Sequence, residues 1–307
     1  MLCSRLELDR ARRDSSIRDV RAYSPHRTPL RRGERVKFCK PWQLIADCLR
    51  ELDARAIGFD YVKSASLRKL RAAHKASYRE LPELILKMRE IKSRQEIAKL
   101  RRAAKIAVKG MHCAAELIEV GRSELEIAAE AEYAMRRAGS EGTSFGTIVA
   151  SGRNSWLPHS TATRRRLRQG DLIIIDLGAK YEGYCSDMTR TFALSPTRKQ
   201  LKLVELVKRA QMAAIARVRD GVRASAIDKV ARDFISRAGY ASYYLHSTGH
   251  GVGLEIHESP SLAPDSRDVL RKDMVTTVEP GIYLPGVGGA RREDMVLVTT
   301  SGHEILA

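Results

Sequence analysis

Asp176 stands inside an apolar run, DLIIIDLGA (171–179), and Asp187 stands inside the strand-like segment that follows, with Tyr181, Glu182 and Gly183 between them as turn material. Two such runs around a glycine-containing turn read as a buried hairpin. Folded symmetrically about Tyr181 and Glu182, it sets the two aspartates directly opposite one another, with Cβ atoms roughly 5 Å apart. Paired anions in a low-dielectric interior are unfavourable unless a proton or a cation compensates them. A second hairpin repeats the feature: Glu279 in TTVEPGIY and Glu293 in ARREDMVL face one another across a turn centred on Gly286. A single buried acid is ordinarily explained by a salt bridge to arginine, but two opposed acidic pairs favour a metal ion.

Histidine supplies a nitrogen donor. The segment HSTGHGVGLEIHE (246–258) holds His246, His250 and His257 among glycines that permit tight turns, and His159 stands in LPHST ahead of the first acidic hairpin. None of these lies at i, i+4 on a helix, so the familiar single-zinc helix motif is absent. Oxygen-rich ligands with one imidazole favour a paired Mn²⁺, Co²⁺ or Zn²⁺ site over a structural zinc, which would want thiolates. The five cysteines show no C-x-x-C spacing and read as free thiols. Two adjacent ions can activate a water and polarise a carbonyl or phosphoryl oxygen, which points to hydrolysis.

Around these motifs the chain is regular. Segments 93–118 and 123–139 carry helical apolar stripes, opened by Ser93 with Glu96 and by Ser123 with Glu126 as capping boxes. Helical patterns return at 199–218 and 224–239, and strand-like runs follow each helical pair. Residues 93–194 and 199–300 therefore read as two similar halves, although no residue-level repeat is evident. Three regions are expected: a poorly ordered basic arm over 1–35, a small α/β unit over 36–88, and the main domain over 89–307.

At 307 residues the chain can bury a sizeable core. Lys and Arg exceed Asp and Glu by 55 to 37, and residues 1–100 hold 25 basic against 13 acidic side chains. Without interleaved aromatics this excess argues against nucleic-acid binding as the main reading. No apolar run reaches the roughly 18 residues of a membrane span and no secretory signal opens the chain, so a cytoplasmic location without membrane partners is expected.

The stretch from about 145 to 303 resembles the metal-dependent Xaa-Pro peptidases, the aminopeptidase P and prolidase group of peptidase family M24. The resemblance rests on ASGRNSWLPHS, IIDLGAKYEGYCSDMTRTF, HSTGHGVGLEIHE, TTVEPGIYLPG and RREDMVLVT, in the family's order; IKSRQEIAKLRRAAKIA extends it back to about residue 90. It implies an α+β pita-bread catalytic domain of two pseudo-symmetric helix-plus-antiparallel-sheet halves, preceded by a shortened creatinase-type N-terminal domain. It also implies two divalent ions per subunit, with Mn²⁺ first and Co²⁺ or Zn²⁺ behind it. Asp176 would chelate one ion, Asp187 and Glu293 would bridge both, and His250 with Glu279 would complete the second. Glu279 would carry a proton, His257 would steady the oxyanion, and His159 would hold the substrate; His246 and Arg291 match positions that contact the substrate or support the site. The implied activity is removal of an N-terminal residue before proline, from a dipeptide or a longer peptide, by a chain that could pair as a homodimer. Methionine aminopeptidase-like cleavage is the alternative with the same chemistry, and a non-catalytic binding module for protein or nucleic acid is the alternative of another class. The metal-free, creatine-hydrolysing branch is disfavoured by the intact ligand set.

Overall fold

The computed structural model describes residues 1–307, which divide into two units, Met1–Ile85 and Leu86–Ala307. In the first unit β1 (Leu2–Ser4), β2 (Arg21–Ser24) and β3 (Val36–Phe38) form a parallel sheet, with α1 (Leu8–Asp14) between the first two strands. There follow α2 (Pro41–Glu51), β4 (Ala56–Phe59), α3 (Ser64–Ala73) and β5 (Ser77–Glu80), with β4 and β5 paired in parallel. Residues 1–35, expected as a poorly ordered arm, are instead part of this α/β unit. Leu8 and Ala22 are buried there, and a charged pair far apart in the chain closes the segment: Arg5 donates from Nε and Nη2 to the two oxygens of Glu34 at 2.8 and 2.7 Å. A hydrophobic periodicity search does not register that kind of pairing.

Helix α4 (Pro82–Glu90) carries the chain into the second unit, where α5 (Arg94–Glu116) and α6 (Glu124–Arg137) start at the two expected capping boxes. Short strands β6 (Gly142–Thr143) and β7 (Ile148–Ser151) follow, then β8 (Leu172–Leu177), β9 (Ala179–Tyr181), β10 (Tyr184–Cys185) and β11 (Met188–Ala193). Helices α7 (Arg198–Ile215) and α8 (Ala224–Arg237) open the second half. Its strands are β12 (Gly249–Gly251), β13 (Glu258–Leu262), β14 (Val275–Val278), β15 (Gly281–Leu284), β16 (Gly288–Arg291), β17 (Asp294–Val298) and β18 (His303–Ile305). The four sheets of the second unit have the orders β10-β9-β6, β11-β8-β7, β13-β12-β14-β17-β18 and β15-β16, with every pairing antiparallel. No helix is long and apolar enough to cross a membrane.

A residue-level repeat, not evident in the sequence, does exist between the halves. Gly121 donates its N–H to Leu167 and Gly221 donates to Leu270, both at 2.9 Å, and the bridge of Ser123 to Arg166 is matched by that of Arg223 to Val269. Ile127 corresponds to Ile227, Ala131 to Ala231, and Gly139 to Gly239, the last two closing their helices with positive φ. Mostly buried and chain-turning positions repeat, while most exposed positions differ, so the correspondence is diluted along the sequence.

Strand β8 shows how the packing aims the site. Ile173, Ile175 and Leu177 pack with Ile106, Ile127 and Met135 from the helices, and because strand side chains alternate, Asp176 projects from the opposite face. A separate cluster that includes Leu100, Val252, Val275 and Met295 brings residues of both halves together.

The first hairpin departs from the expected register. Asp176 pairs with Thr189, not Asp187, and Tyr181 pairs with Tyr184, so the turn is Glu182-Gly183, both at positive φ. Such a two-residue turn suits the right-handed strand twist and moves the centre beyond the symmetric guess. Asp187 is then the diagonal neighbour of Asp176 on the same face. It stands across from Gly178, where a Cβ would lie 1.9 Å from the Ser186 carbonyl oxygen, so only glycine lets the strands close there. The second hairpin keeps the expected register: Val278 pairs with Asp294 and Gly281 with Arg291, which sets Glu279 across from Glu293.

Candidate metal centre

All nine side chains singled out from the sequence, His159, Asp176, Asp187, His246, His250, His257, Glu279, Arg291 and Glu293, line one cavity of about 480 Å³. A cavity of about 580 Å³ on α8 is lined by Arg217, Arg219, Lys229 and Arg237 and contains no such cluster, so chemistry rather than volume selects the site.

Its floor is acidic and buried. Asp176, Asp187 and Glu293 are 8%, 5% and 2% exposed. Glu293 accepts a hydrogen bond from Thr189 Oγ1 at 2.7 Å through Oε2, and Asp176 accepts from Arg291 Nη2 at 2.6 Å through Oδ2. Asp176 Oδ1 and Glu293 Oε1 have no partner although both are buried. Ligand atoms of Asp187, His250 and Glu293 all lie within 4.8 Å of one another. His250 Nε2 is 3.6 Å from Asp187 Oδ2 and 3.4 Å from Glu279 Oε1, while its Nδ1 lies 3.0 Å from the Gly251 carbonyl, which fixes the ring with Nε2 toward the acids. Glu279 is held by its own N–H, which donates to Thr248 at 2.7 Å. At Gly249, one residue before His250, a Cβ would meet the Thr277 carbonyl at 2.1 Å, so a side chain there would push the strand away from the site.

The electrostatics are those of a cluster short of positive charge. Burial, then Glu293, Asp176 and Glu279, push the Asp187 carboxyl well above the ordinary range. Burial and the neighbouring Glu279 and Asp176 do the same to Glu293, and burial raises Glu279 against the opposing pull of His246 and Arg291. Burial lowers His250, His246 and His257, keeping the imidazoles neutral and able to ligate. The salt-bridge explanation of the acids fails by count, since Arg291, the one guanidinium in the cavity, makes its ion pair with Asp176 alone. Four carboxylates, two orphaned oxygens and a neutral imidazole fit divalent cations that accept oxygen and nitrogen donors.

The rim belongs to the remaining histidines. His246 Nε2 lies 2.8 Å from Tyr283 Oη, Tyr283 accepts from Arg291 Nη1 at 2.8 Å, and Arg291 Nη1 also donates to the Pro158 carbonyl at 3.0 Å. The His250 and His257 rings are 4.4 Å apart between centroids. His159 is exposed at the mouth. Sequence reasoning missed Thr189, Tyr283 and the apolar wall of Phe145, Ile148 and Ile256. Thr189 was legible in principle, since it alternates with Asp187 along the chain; the wall residues come from two segments far apart, 145–148 and 256, whose meeting carries no local signal.

Residues 98–300 match the profile of metallopeptidase family M24. The chain belongs to that family. Among curated relatives of this M24 chain, the Xaa-Pro dipeptidase of Pyrococcus horikoshii is 45% identical over 230 residues, covering 75% of this chain and 66% of that protein. The Xaa-Pro dipeptidase of Pyrococcus furiosus is 45% identical over 226 residues, covering 73% and 65%. The matched region thus spans just under two thirds of those relatives' own length. Among solved structures, an Xaa-Pro dipeptidase from Bacillus anthracis has a TM-score of 0.90 at 35% identity, covering 99% of this chain and 83% of that one. The prolidase from Pyrococcus furiosus has a TM-score of 0.86 at 36% identity, covering 99% and 86%. The M24 chain has the pita-bread fold of these neighbours, and membership implies divalent metal ions.

Proposed function

We propose that this protein is a metal-dependent exopeptidase that cleaves the bond between an N-terminal residue and a following proline, as an Xaa-Pro dipeptidase or aminopeptidase. The observation that carries the reading is the set of three buried carboxylates, Asp176, Asp187 and Glu293, with the half-buried Glu279 and neutral His250 beside them and a single guanidinium among them. The names of the relatives, Xaa-Pro dipeptidase and prolidase, support the choice of substrate.

Asp176, Asp187, His250, Glu279 and Glu293 are the residues that would hold two divalent ions, with Mn²⁺ first among the candidates for so oxygen-rich a set. When bound, such ions supply Lewis-acid polarisation of a carbonyl and acidification of a water. The chain's own residues do the rest. Glu279, whose carboxyl is raised by burial, is suited to take a proton and return it to the leaving imino nitrogen of proline. His257 and His159 face the cavity and supply N–H donors toward a carbonyl oxygen that gains charge. Arg291 holds Asp176 and the Pro158 carbonyl, and Tyr283 ties Arg291 to His246, so the three keep floor and rim in register. Phe145, Ile148 and Ile256 give the cavity an apolar wall for a ring recognised by shape, since an imide nitrogen offers no N–H. All five cysteines are free, in keeping with a reducing cytoplasmic compartment, and light scattering will show whether the chain works as a homodimer.

The test is a panel of Xaa-Pro, Xaa-Pro-Yaa and Met-Ala peptides with metal analysis of the protein. Chelated protein is expected to be inactive, and Mn²⁺ or Co²⁺ to restore cleavage of the first two. Cleavage of Met-Ala alone would replace the reading with methionine aminopeptidase-like activity. Loss of all cleavage in metal-loaded protein would leave a binding module.

A further inference from the structure

The loop that joins β7 to β8 carries His159, and both of its ends converge on one side chain. Glu124, the first residue of α6, is 0% exposed. Its Oε1 accepts from the N–H and the hydroxyl of Ser151, at 2.7 and 2.6 Å, where the loop departs. Its Oε2 accepts from the N–H and the hydroxyl of Thr163, at 3.0 and 2.5 Å, where the loop returns. Asn154 Nδ2 donates to both oxygens at 3.0 Å. Every donor is neutral, and Arg165 in the same segment pairs with Asp171 instead.

A carboxylate buried among neutral donors needs a reason, because it is tolerated only when its lone pairs are saturated. Capping of α6 is not the reason: Ser123 and Glu126 already form that helix's capping box. Packing of the scaffold is not the reason either. The corresponding position of the second half is Ala224, equally buried at the start of α8, so the architecture accepts a small apolar residue there. What distinguishes the first half is the loop it must hold. The second half solves its own version one turn further along α8, where Asp228 accepts from Thr248 Oγ1 at 2.8 Å beside the segment that carries His246 and His250.

We propose that Glu124 is a positioning residue, a carboxylate clasp that closes the 151–163 loop and so sets where His159 stands in the cavity. The effect on turnover rests on the role given to His159 above; the closing of the loop does not. Glu124→Gln keeps the shape but turns an NH₂ group toward donors that need an acceptor.

The experiment compares wild type, Glu124→Gln, His159→Ala and the double variant, all loaded with Mn²⁺, on an Xaa-Pro dipeptide, with tryptic cleavage after Arg153 as a second readout. Glu124→Gln is expected to lower kcat/KM by on the order of tenfold to a hundredfold alone, and by less than about twofold in the His159→Ala background. Mn²⁺ affinity is expected to stay unchanged, since no ligand lies on this loop. Cleavage after Arg153 is expected to quicken, because proteolysis follows local opening. Thr163→Val, which removes one donor and keeps the carboxylate, should shift both readouts the same way by less, and serves if Glu124→Gln does not fold. An equal loss in both backgrounds, or an unchanged tryptic rate, overturns the clasp. If wild type cleaves no Xaa-Pro peptide, the hydrolase reading falls and the tryptic rate alone decides the clasp.

Discussion

Replacing Asp187 with Asn should make the metal-free protein more stable while removing its response to metal. Ligand atoms of Asp187 and Glu293 lie within 4.8 Å of each other in a buried site. At that distance and an effective dielectric constant of about 20, two carboxylates repel by about 3.5 kcal/mol. The alternative open to the chain is to keep one of them protonated, and holding a proton at pH 7 on a group with an ordinary pKa near 3.9 costs about 4 kcal/mol. Asparagine relieves either cost, less what its amide loses in fit, for a net gain of about 2–3 kcal/mol. For a unit the size of Leu86–Ala307 this amounts to roughly 5–10 °C in Tm. The sign of the pH dependence follows from burial and Glu293 pushing Asp187 upward. A carboxyl raised in the folded state contributes its full stability below its unfolded pKa and loses it as pH rises through the folded value. The advantage of the Asp187→Asn variant should therefore be small at pH 4 and full at pH 7. Scanning calorimetry of chelated wild type and variant at both pH values, repeated with Mn²⁺, reads all of this: wild type should gain Tm with metal and the variant much less. A chelated variant that melts several degrees below wild type at pH 7, or an advantage that persists at pH 4, would refute the argument that unbalanced negative charge dominates this site.

Further outcomes are open to measurement. Arg291→Met leaves Asp176 without its one cationic partner in the chelated protein and should cost about 3–5 kcal/mol in urea unfolding of that form; a cost below about 1 kcal/mol would show that the ion pair is not holding the floor. Leu100→Ala opens a void in the cluster shared by the two halves and should cost about 2–5 kcal/mol, with kcat/KM per folded molecule largely retained. In the first unit, hydrogen bonds from Arg5 and then from the Arg31 backbone hold the Glu34 carboxyl down to about 2. That depressed value gives stability above the ordinary carboxyl range that is lost as pH falls from about 4.5 to 2. Acid titration of Glu34→Gln by circular dichroism should lack that component, and an unchanged acid midpoint would count against it.

The sequence by itself determined the main helices and acidic hairpins of the second unit and the residue types of the site. Capping boxes at Ser93 and Ser123, apolar stripes, and acids embedded in strand-like runs act over a few residues, so they are written locally. The second acidic hairpin was legible to its register because a glycine-rich turn stood at its centre. Tertiary structure alone decided the rest. It set Asp187 diagonal to Asp176 because the Glu182-Gly183 turn, not sequence symmetry, chose the pairing. It ordered residues 1–35 through contacts such as Arg5 with Glu34, which join positions far apart in the chain. It also brought Phe145, His159, His246 and Glu293 to one cavity and two loop ends to Glu124, juxtapositions that exist only once the strands have closed. Local patterns specify what each segment is; which segments meet depends on the free energy of the whole packed chain.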